Sequence, residues 1–408
     1  MSSTTLKEPG MSRGLTVVFA AATGLAVASN YLAQPLLATI RHDLHVSSSV
    51  AGLIVTVAQT GYALGLVLLL PLGDLLERRR LITTLAVLTA AGLAAAGFAP
   101  TIGLLMGATG LVALTSVMAQ ILVPFAASLT PSDRRGQVVG TVMSGLLIGI
   151  LMARTVAGLV AQVAGWRTVY WVAATCMLAL AVVLSRRLPS YREHLALRYP
   201  RLLLSVLAIA RREPMLRRRA VYGALAFADF SVLWTTLAFL LAGPHYHYGE
   251  AVIGLFGLAG AAGALAASPI GRLNDKGWTV HLTGFMSVLL SLSFLLIWLG
   301  RTSLVALVAG VILVDMASQN LHITNQSQIY RLRPDERSRI TAFYMTCCFI
   351  GAALGSSSAA SAYGAGGWKS VCILGAGFGS ASLLWWLIDL AQARLRAARG
   401  PQRPSASA

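Results

Sequence analysis

Long apolar runs and short polar connections alternate along the whole chain. The runs lie near 14–38, 48–72, 81–99, 101–128, 137–161, 168–186, 217–242, 250–270, 280–299, 303–328, 339–361 and 368–390. A helix needs roughly 20 apolar residues to cross a bilayer. Lipid admits only helices or closed barrels, and these runs are too long for barrel strands. The pattern therefore predicts an all-α integral membrane protein with twelve transmembrane helices.

The polar positions between the runs repeat. Gly73-Asp-Leu-Leu-Glu77-Arg78-Arg-Arg80 comes back 198 residues later as Gly271-Arg-Leu-Asn-Asp275-Lys276, both reading Gly-x-Leu-x-acid-base. At an offset of 202, Asp133-Arg-Arg answers Asp335-Glu-Arg337, and Gly165-Trp-Arg-Thr-Val169 answers Gly367-Trp-Lys-Ser-Val371. Echoes that keep their order indicate a duplicated unit. The expected organisation is an N-terminal six-helix bundle at 14–186, a cytoplasmic linker at 187–216, a C-terminal six-helix bundle at 217–390 and a basic, disordered cytoplasmic tail at 391–408. Within the linker, Leu202–Ala210 is too short to span and is flanked by Arg198, Arg201, Arg211 and Arg212, which predicts an interfacial helix under an anionic leaflet.

Composition and charge narrow the class. The chain is 56% hydrophobic and 11% charged, with mean hydropathy +0.72, against about 25% charged residues in a soluble domain. The net charge of +18 would suit nucleic acid, but its distribution does not. With the N-terminus inside, 27 of the 32 Lys and Arg fall on cytoplasmic segments, four (Arg41, Arg167, Arg301, Lys369) on the other side, and Arg154 within a span. That is the positive-inside pattern, which predicts a multi-pass protein of the inner membrane with both termini cytoplasmic and no nucleic-acid partner. Lys7 and Arg13 before a run ending in Ala26-Val-Ala28 imitate a signal peptide. Removing that run would leave eleven spans and break the repeat, so it is read as the first span. Cys176, Cys347, Cys348 and Cys372 lie in or beside apolar runs without C-x-x-C spacing and read as packing residues. The paired His42/His45 and His245/His247 read as surface histidines, so no metal is expected.

Polar groups inside the spans are the candidates for chemistry. Asn30 and Gln34 share a face of the first helix, Gln59 and Tyr62 lie on the second, and Gln120 on the fourth. Gly145-x-x-x-Gly149 on the fifth has the spacing of tight helix packing. An ionisable residue at mid-bilayer costs roughly 2.5–3.5 kcal/mol on insertion scales, which singles out Arg154, Asp229, Asp315 and His322. Asp315, Gln319, His322 and Gln326 form one stripe of the tenth helix. In the loop motifs, Gly73 and Gly271 permit a turn, Glu77 and Asp275 can pair with a helix N-terminus or a cation, and Arg78 and Lys276 hold the loop inside.

Twelve spans in two repeated halves, a long cytoplasmic linker and Gly-x-Leu-x-acid-base after the second and eighth spans resemble the major facilitator superfamily. Within it the chain is similar to the twelve-helix drug:proton antiporter-like transporters of bacteria. The resemblance implies two bundles rocking about a midplane site, with Asp229 and Asp315 facing a central cavity and Glu77 and Asp275 latching one conformation. The expected function is proton-coupled efflux of a small organic molecule by a monomer, with the proton gradient as energy source and no cofactor. Proton-linked uptake of a metabolite is the alternative. From other classes, a membrane-embedded enzyme is disfavoured because no H-E-x-x-H or G-x-S-x-G pattern occurs. A transport-dead sensor is disfavoured because its usual hallmark, a soluble output domain, is not seen, and ATP as energy source is disfavoured by the lack of a Walker A sequence.

Overall fold

The structure, a computed structural model, describes residues 11–131, 133–191, 199–266, 277–333 and 336–398. The second loop motif, Gly271 to Lys276, lies outside these residues, as do Asp335 and the chain beyond Ala398. The described residues form helices α1 (Arg13–Ala28), α2 (Leu37–Asp43), α3 (Ser48–Leu68), α4 (Arg78–Gly97), α5 (Ile102–Ser116), α6 (Met118–Ser128) and α7 (Arg135–Ala164). They continue with α8 (Trp166–Arg187), α9 (Tyr199–Arg212), α10 (Pro214–Leu241), α11 (Glu250–Ala266), α12 (Thr279–Leu299), α13 (Leu304–Ile329) and α14 (Arg337–Ala398). Among the described residues nine helical segments are long and apolar enough to cross a membrane.

The difference from twelve has three local causes. The first run breaks after Ala28 and passes through a 3-10 turn at Gln34–Leu36, where Pro35 stands, before α2 resumes. The eighth run is described only as Glu250–Ala266. The last two runs are fused in α14, which bends at Gly367 (φ 64°, ψ −154°). Helix starts follow the sequence: Ser12, Ser47, Thr101 and Ser303 each accept a hydrogen bond from the backbone N–H three residues on, satisfying donors that a helix leaves open. One expectation is corrected here. The composition of the tail predicts disorder from residue 391, whereas α14 continues to Ala398.

The duplication is visible in the backbone. Positive φ occurs at His45 (51°) and His247 (52°), and at Gly165 (82°) and Gly367 (64°), and both pairs lie 202 residues apart. Each half also packs its helices through the same small residues. A Cβ on Gly149 of α7 would run into the Gly24 carbonyl of α1, and one on Gly351 of α14 would run into the Ala224 carbonyl of α10. The fold is two pseudo-symmetric six-helix bundles.

The halves meet along two seams, α3 against the first part of α14 and α7 against α11. Thr56 and Ser356 hydroxyls lie 2.9 Å apart on the first seam. On the second, Thr155 donates to the Gly254 carbonyl (3.1 Å) and Gln162 accepts from the Ala251 amide (3.5 Å). Thr39 of α2 donates to the Glu250 carboxylate. These contacts sit near the middle of the spans and at the end remote from the Glu77–Arg80 turn. At the motif end, α9 bridges the halves: Tyr199 donates to the Leu68 carbonyl (2.7 Å), and Ile209 packs into a cluster with Tyr62, Leu66, Tyr344 and Phe349.

Candidate functional site

Four elements, α7, the 3-10 turn at Gln34–Leu36, α10 and α13, bring opposite charges together at the boundary of the halves. Arg154 projects from α7, is 2% exposed, and its Nε donates to Gln34 Oε1 at 2.7 Å. Gln34 can reach it because the first span has opened into the 3-10 turn. The guanidinium carbon sits 3.8 Å from the ring centroid of Trp234 of α10, with Phe230 at 5.5 Å and Tyr31 at 5.0 Å. A desolvated cation over an indole face gains about 2 kcal/mol, which offsets part of the cost of burying Arg154. At the N–H edge of the same indole, Trp234 Nε1 donates to Asp315 Oδ2 of α13 at 3.2 Å. Among the described residues Arg154 and Asp315 form no direct ion pair; the indole contacts both, the cation at its face and the carboxylate at its N–H. A glycine at position 260 of α11 makes the space, since a Cβ there would meet Trp234 at 2.9 Å and Asp315 Oδ1 at 3.0 Å.

Arg154 Nη2 and Gln34 Nε2 are buried with no hydrogen-bond partner among the described residues, as are both amide atoms of Asn30, next to Tyr31 in the chain. Burying such groups unpaired is costly, and clusters of them normally mark where something else binds. Gln59 of α3 is also buried, with its Oε1 unpartnered.

A second group lies nearer the motif end. Gln120 donates to the Tyr62 hydroxyl at 3.4 Å, and Tyr62 stacks on Phe349 at 4.3 Å across the halves. Phe349 touches Phe227, whose ring lies 5.3 Å from His322. His322 Nδ1 is 3.1 Å from the Tyr344 hydroxyl. Gln319 is half-buried on the same face of α13 as Asp315 and His322.

Asp229 belongs to neither group. It is fully buried and both carboxylate oxygens lack a partner. At 3.6 residues per turn it lies about 140° around α10 from Trp234. It shares a stripe with Tyr222, which bonds Asp389 of the last span at 3.0 Å, and is flanked by Ala226, which packs on Met286, Leu290, Ala317 and Leu321. Asp229 therefore faces the interior of its own bundle.

In the loop motif Glu77 pairs with a helix N-terminus, that of its own helix α4, accepting from the Arg80 amide at 3.1 Å. Arg78 is the buried member: it is 5% exposed, donates to the Gly73 carbonyl (3.0 Å) and Ser128 (3.2 Å), pairs with Asp74 at 3.5 Å, and lies over the rings of Tyr191 and Phe125. All these partners precede α9 in the chain. Arg78 thus clasps the turn to the fourth span and to the start of the linker.

Sequence reasoning misses Tyr31, Phe230 and Trp234. An aromatic residue inside an apolar run carries no mark that separates a cation's wall from ordinary core. Gly257, where a Cβ would meet Arg154 Cβ at 3.0 Å, and Gly260 escape it because a glycine in an apolar run reads as helix packing. The usable signal is proximity: Tyr31 adjoins Asn30, and Trp234 follows Asp229 by five residues.

A membrane protein built as two repeated bundles that meet at a buried charged centre has the architecture of a carrier. The chain matches the model of the Major Facilitator Superfamily over residues 19–356 and 223–407, and it belongs to that family of transporters. It is 53% identical over 377 residues to a protein of Escherichia coli O157:H7 named "Uncharacterized transporter YgaY", covering 92% of this chain and 96% of that one. A more distant relative, "Probable sugar efflux transporter" of Mannheimia succiniciproducens, is 23% identical over 378 residues, covering 91% and 92%. Among solved structures, a point mutant of the nucleoside transporter NupG superposes with a TM-score of 0.75 at 14% identity, covering 92% of this chain and 98% of that one.

Proposed function

We propose that this transporter is a proton-coupled carrier of the inner membrane that exports a small organic molecule by rocking its two bundles about the Arg154–Trp234–Asp315 centre. It works as a monomer with both termini in the cytoplasm, and the proton gradient is its energy source. The observation that carries this reading is the split origin of the centre. Arg154 and Gln34 come from the first half, and Trp234 and Asp315 from the second. A rocking motion changes how strongly the cation stabilises the carboxylate, and a carboxylate whose partner comes and goes exchanges a proton. Export is supported by the resemblance to drug:proton antiporter-like transporters and by the name of the sugar efflux relative.

One observation favours the alternative, proton-linked uptake. The unpartnered Arg154 Nη2 and Gln34 Nε2 are donors that suit an anionic group. Beside Asp315 an anion would favour the protonated acid, so proton and anion would travel together. Asp315 is faced by Trp234 of α10, Arg154 of α7, Tyr31 of the first span and Gly260 of α11.

The test is proton movement in vesicles containing the purified protein and a pH-sensitive dye. Asp315→Asn is expected to abolish pH-driven transport while leaving substrate counterflow, which needs no net proton movement, at least partly intact. Normal pH-driven transport by Asp315→Asn would remove Asp315 from the coupling mechanism.

A further inference from the structure

We propose that the side-on edge of Arg154, together with the Gln34 amide, receives the carboxylate of a monoanionic, flat organic substrate. This names the substrate class of the centre described above; it rests on its reading as the transport site and goes with the uptake alternative, in which proton and anion travel together. A guanidinium offers N–H groups in a planar fork, and its Nε and Nη2 share the edge that bidentate carboxylates use. Here Nε is held by Gln34 Oε1 at 2.7 Å, while Nη2 next to it is buried and unpartnered. Gln34 Nε2 is likewise buried and unpartnered. Gln34 Oε1 touches the same fork and its Nε2 sits on the same amide, so both open donors belong to groups already in contact. A carboxylate at that contact accepts from both.

Charge selects among ligands. Arg154 is buried on α7, and Asp315, its nearest carboxylate, is occupied by Trp234 Nε1 rather than by the guanidinium. An amide-bearing ligand would satisfy one donor and leave the cation uncompensated, and an ammonium would meet a like charge. Shape selects too. Tyr31, Phe230 and Trp234 wall the guanidinium with rings 5.0, 5.5 and 3.8 Å from its carbon. Aromatic walls of this kind accept a flat apolar body in offset or edge-to-face contact.

The experiment uses the full-length protein in lipid nanodiscs with no proton gradient, titrated with benzoate, its amide benzamide and the cation benzylamine. Benzoate is expected to raise the thermal midpoint saturably, whereas benzamide and benzylamine leave it unchanged. Arg154→Gln should lose the benzoate response. Should that variant fail to fold, Gln34→Glu carries the test, because it lays a carboxylate of the protein's own along the same edge. Its midpoint without ligand should rise, and its benzoate response should weaken at least tenfold. Three results would each overturn the proposal: no benzoate response in the wild type up to about 10 mM, equal responses to benzoate and benzamide, or an unchanged benzoate response in Gln34→Glu. Since binding is read without a gradient, absent proton flux alongside intact benzoate binding would refute the coupling reading and leave this site standing.

Discussion

At the residue scale, ionisable groups in this chain differ mainly in what screens them. Arg154 and Asp315 each contact the same indole rather than each other, and the pair can respond to a ligand because neither group is spent on the other. A contrasting case lies in the loops at the end remote from the motif. Asp43 accepts from Arg167 at 2.5 Å and from Trp166 Nε1 at 3.1 Å. The hydrogen bond from Arg167 holds its carboxyl below the ordinary carboxylate value. A carboxylate whose pKa is depressed on folding adds stability above its unfolded pKa, about 4, and loses it as pH falls through the folded value. Both side chains are roughly two-fifths exposed, so solvent screens the pair and its contribution is small. Asp43→Asn is therefore expected to lower the thermal midpoint slightly at pH 7, with the difference closing as pH drops below about 4. A deficit that stays constant down to pH 3 would mean that Asp43 acts by packing rather than by charge.

At the scale of elements, the spans and their duplication are legible in the sequence because both rest on strong signals, hydropathy over some 20 residues and glycines where the backbone demands them. Gly165 and Gly367 match through their surroundings, and the structure gives the physical reason. Gly165 (φ 82°, ψ 160°) and Gly367 (φ 64°, ψ −154°) occupy a backbone region that only glycine enters readily. Each turns the chain between the last two spans of its half. Gly165→Ala and Gly367→Ala should each destabilise the protein by about 1–3 kcal/mol, although neither Cβ would meet another atom. Gly103→Ala, in a helix with open space around it, should be neutral or slightly stabilising. Unfolding midpoints of the three variants check this. Equal effects at all three positions would count against backbone strain. Orientation within an element is what stays hidden. Asp229 and Trp234 lie on one helix, yet they face different interiors, because apolar residues surround α10 on every side and leave no periodicity to read. The break at Ser29–Leu36 is equally hidden, since Pro35 in a long apolar run fits a kink as well as a stop.

At the scale of the whole molecule, the two seams define a closed end and a hinge region. Thr39 bonds Glu250, Gln162 meets the start of α11, and a Cβ on Gly364 would run into Ser49 Oγ. These contacts join the halves at the end remote from the Glu77–Arg80 turn. In a carrier that rocks, they must part each time the centre faces that side, because a ligand leaving Arg154 has no other exit there. Their polar character suits this, since hydroxyls, amides and one carboxylate can regain hydrogen bonds to water when separated, which a dry apolar seam cannot. A reversible cross-link across this seam tests the motion directly. Ser49→Cys combined with Gly364→Cys, in a background with Cys176, Cys347, Cys348 and Cys372 replaced by Ala or Ser, should form a disulfide on mild oxidation, because a Cβ at position 364 lies 3.5 Å from the Ser49 Cβ, within the span a disulfide needs. The cross-linked protein should lose transport and recover it on reduction, while each single cysteine variant should respond to neither treatment. Ligand binding from the opposite side should survive the cross-link, since the lock holds the closed seam rather than distorting the centre. Full transport by the cross-linked protein would show that this end never opens, and rocking about Arg154 and Asp315 would have to be abandoned.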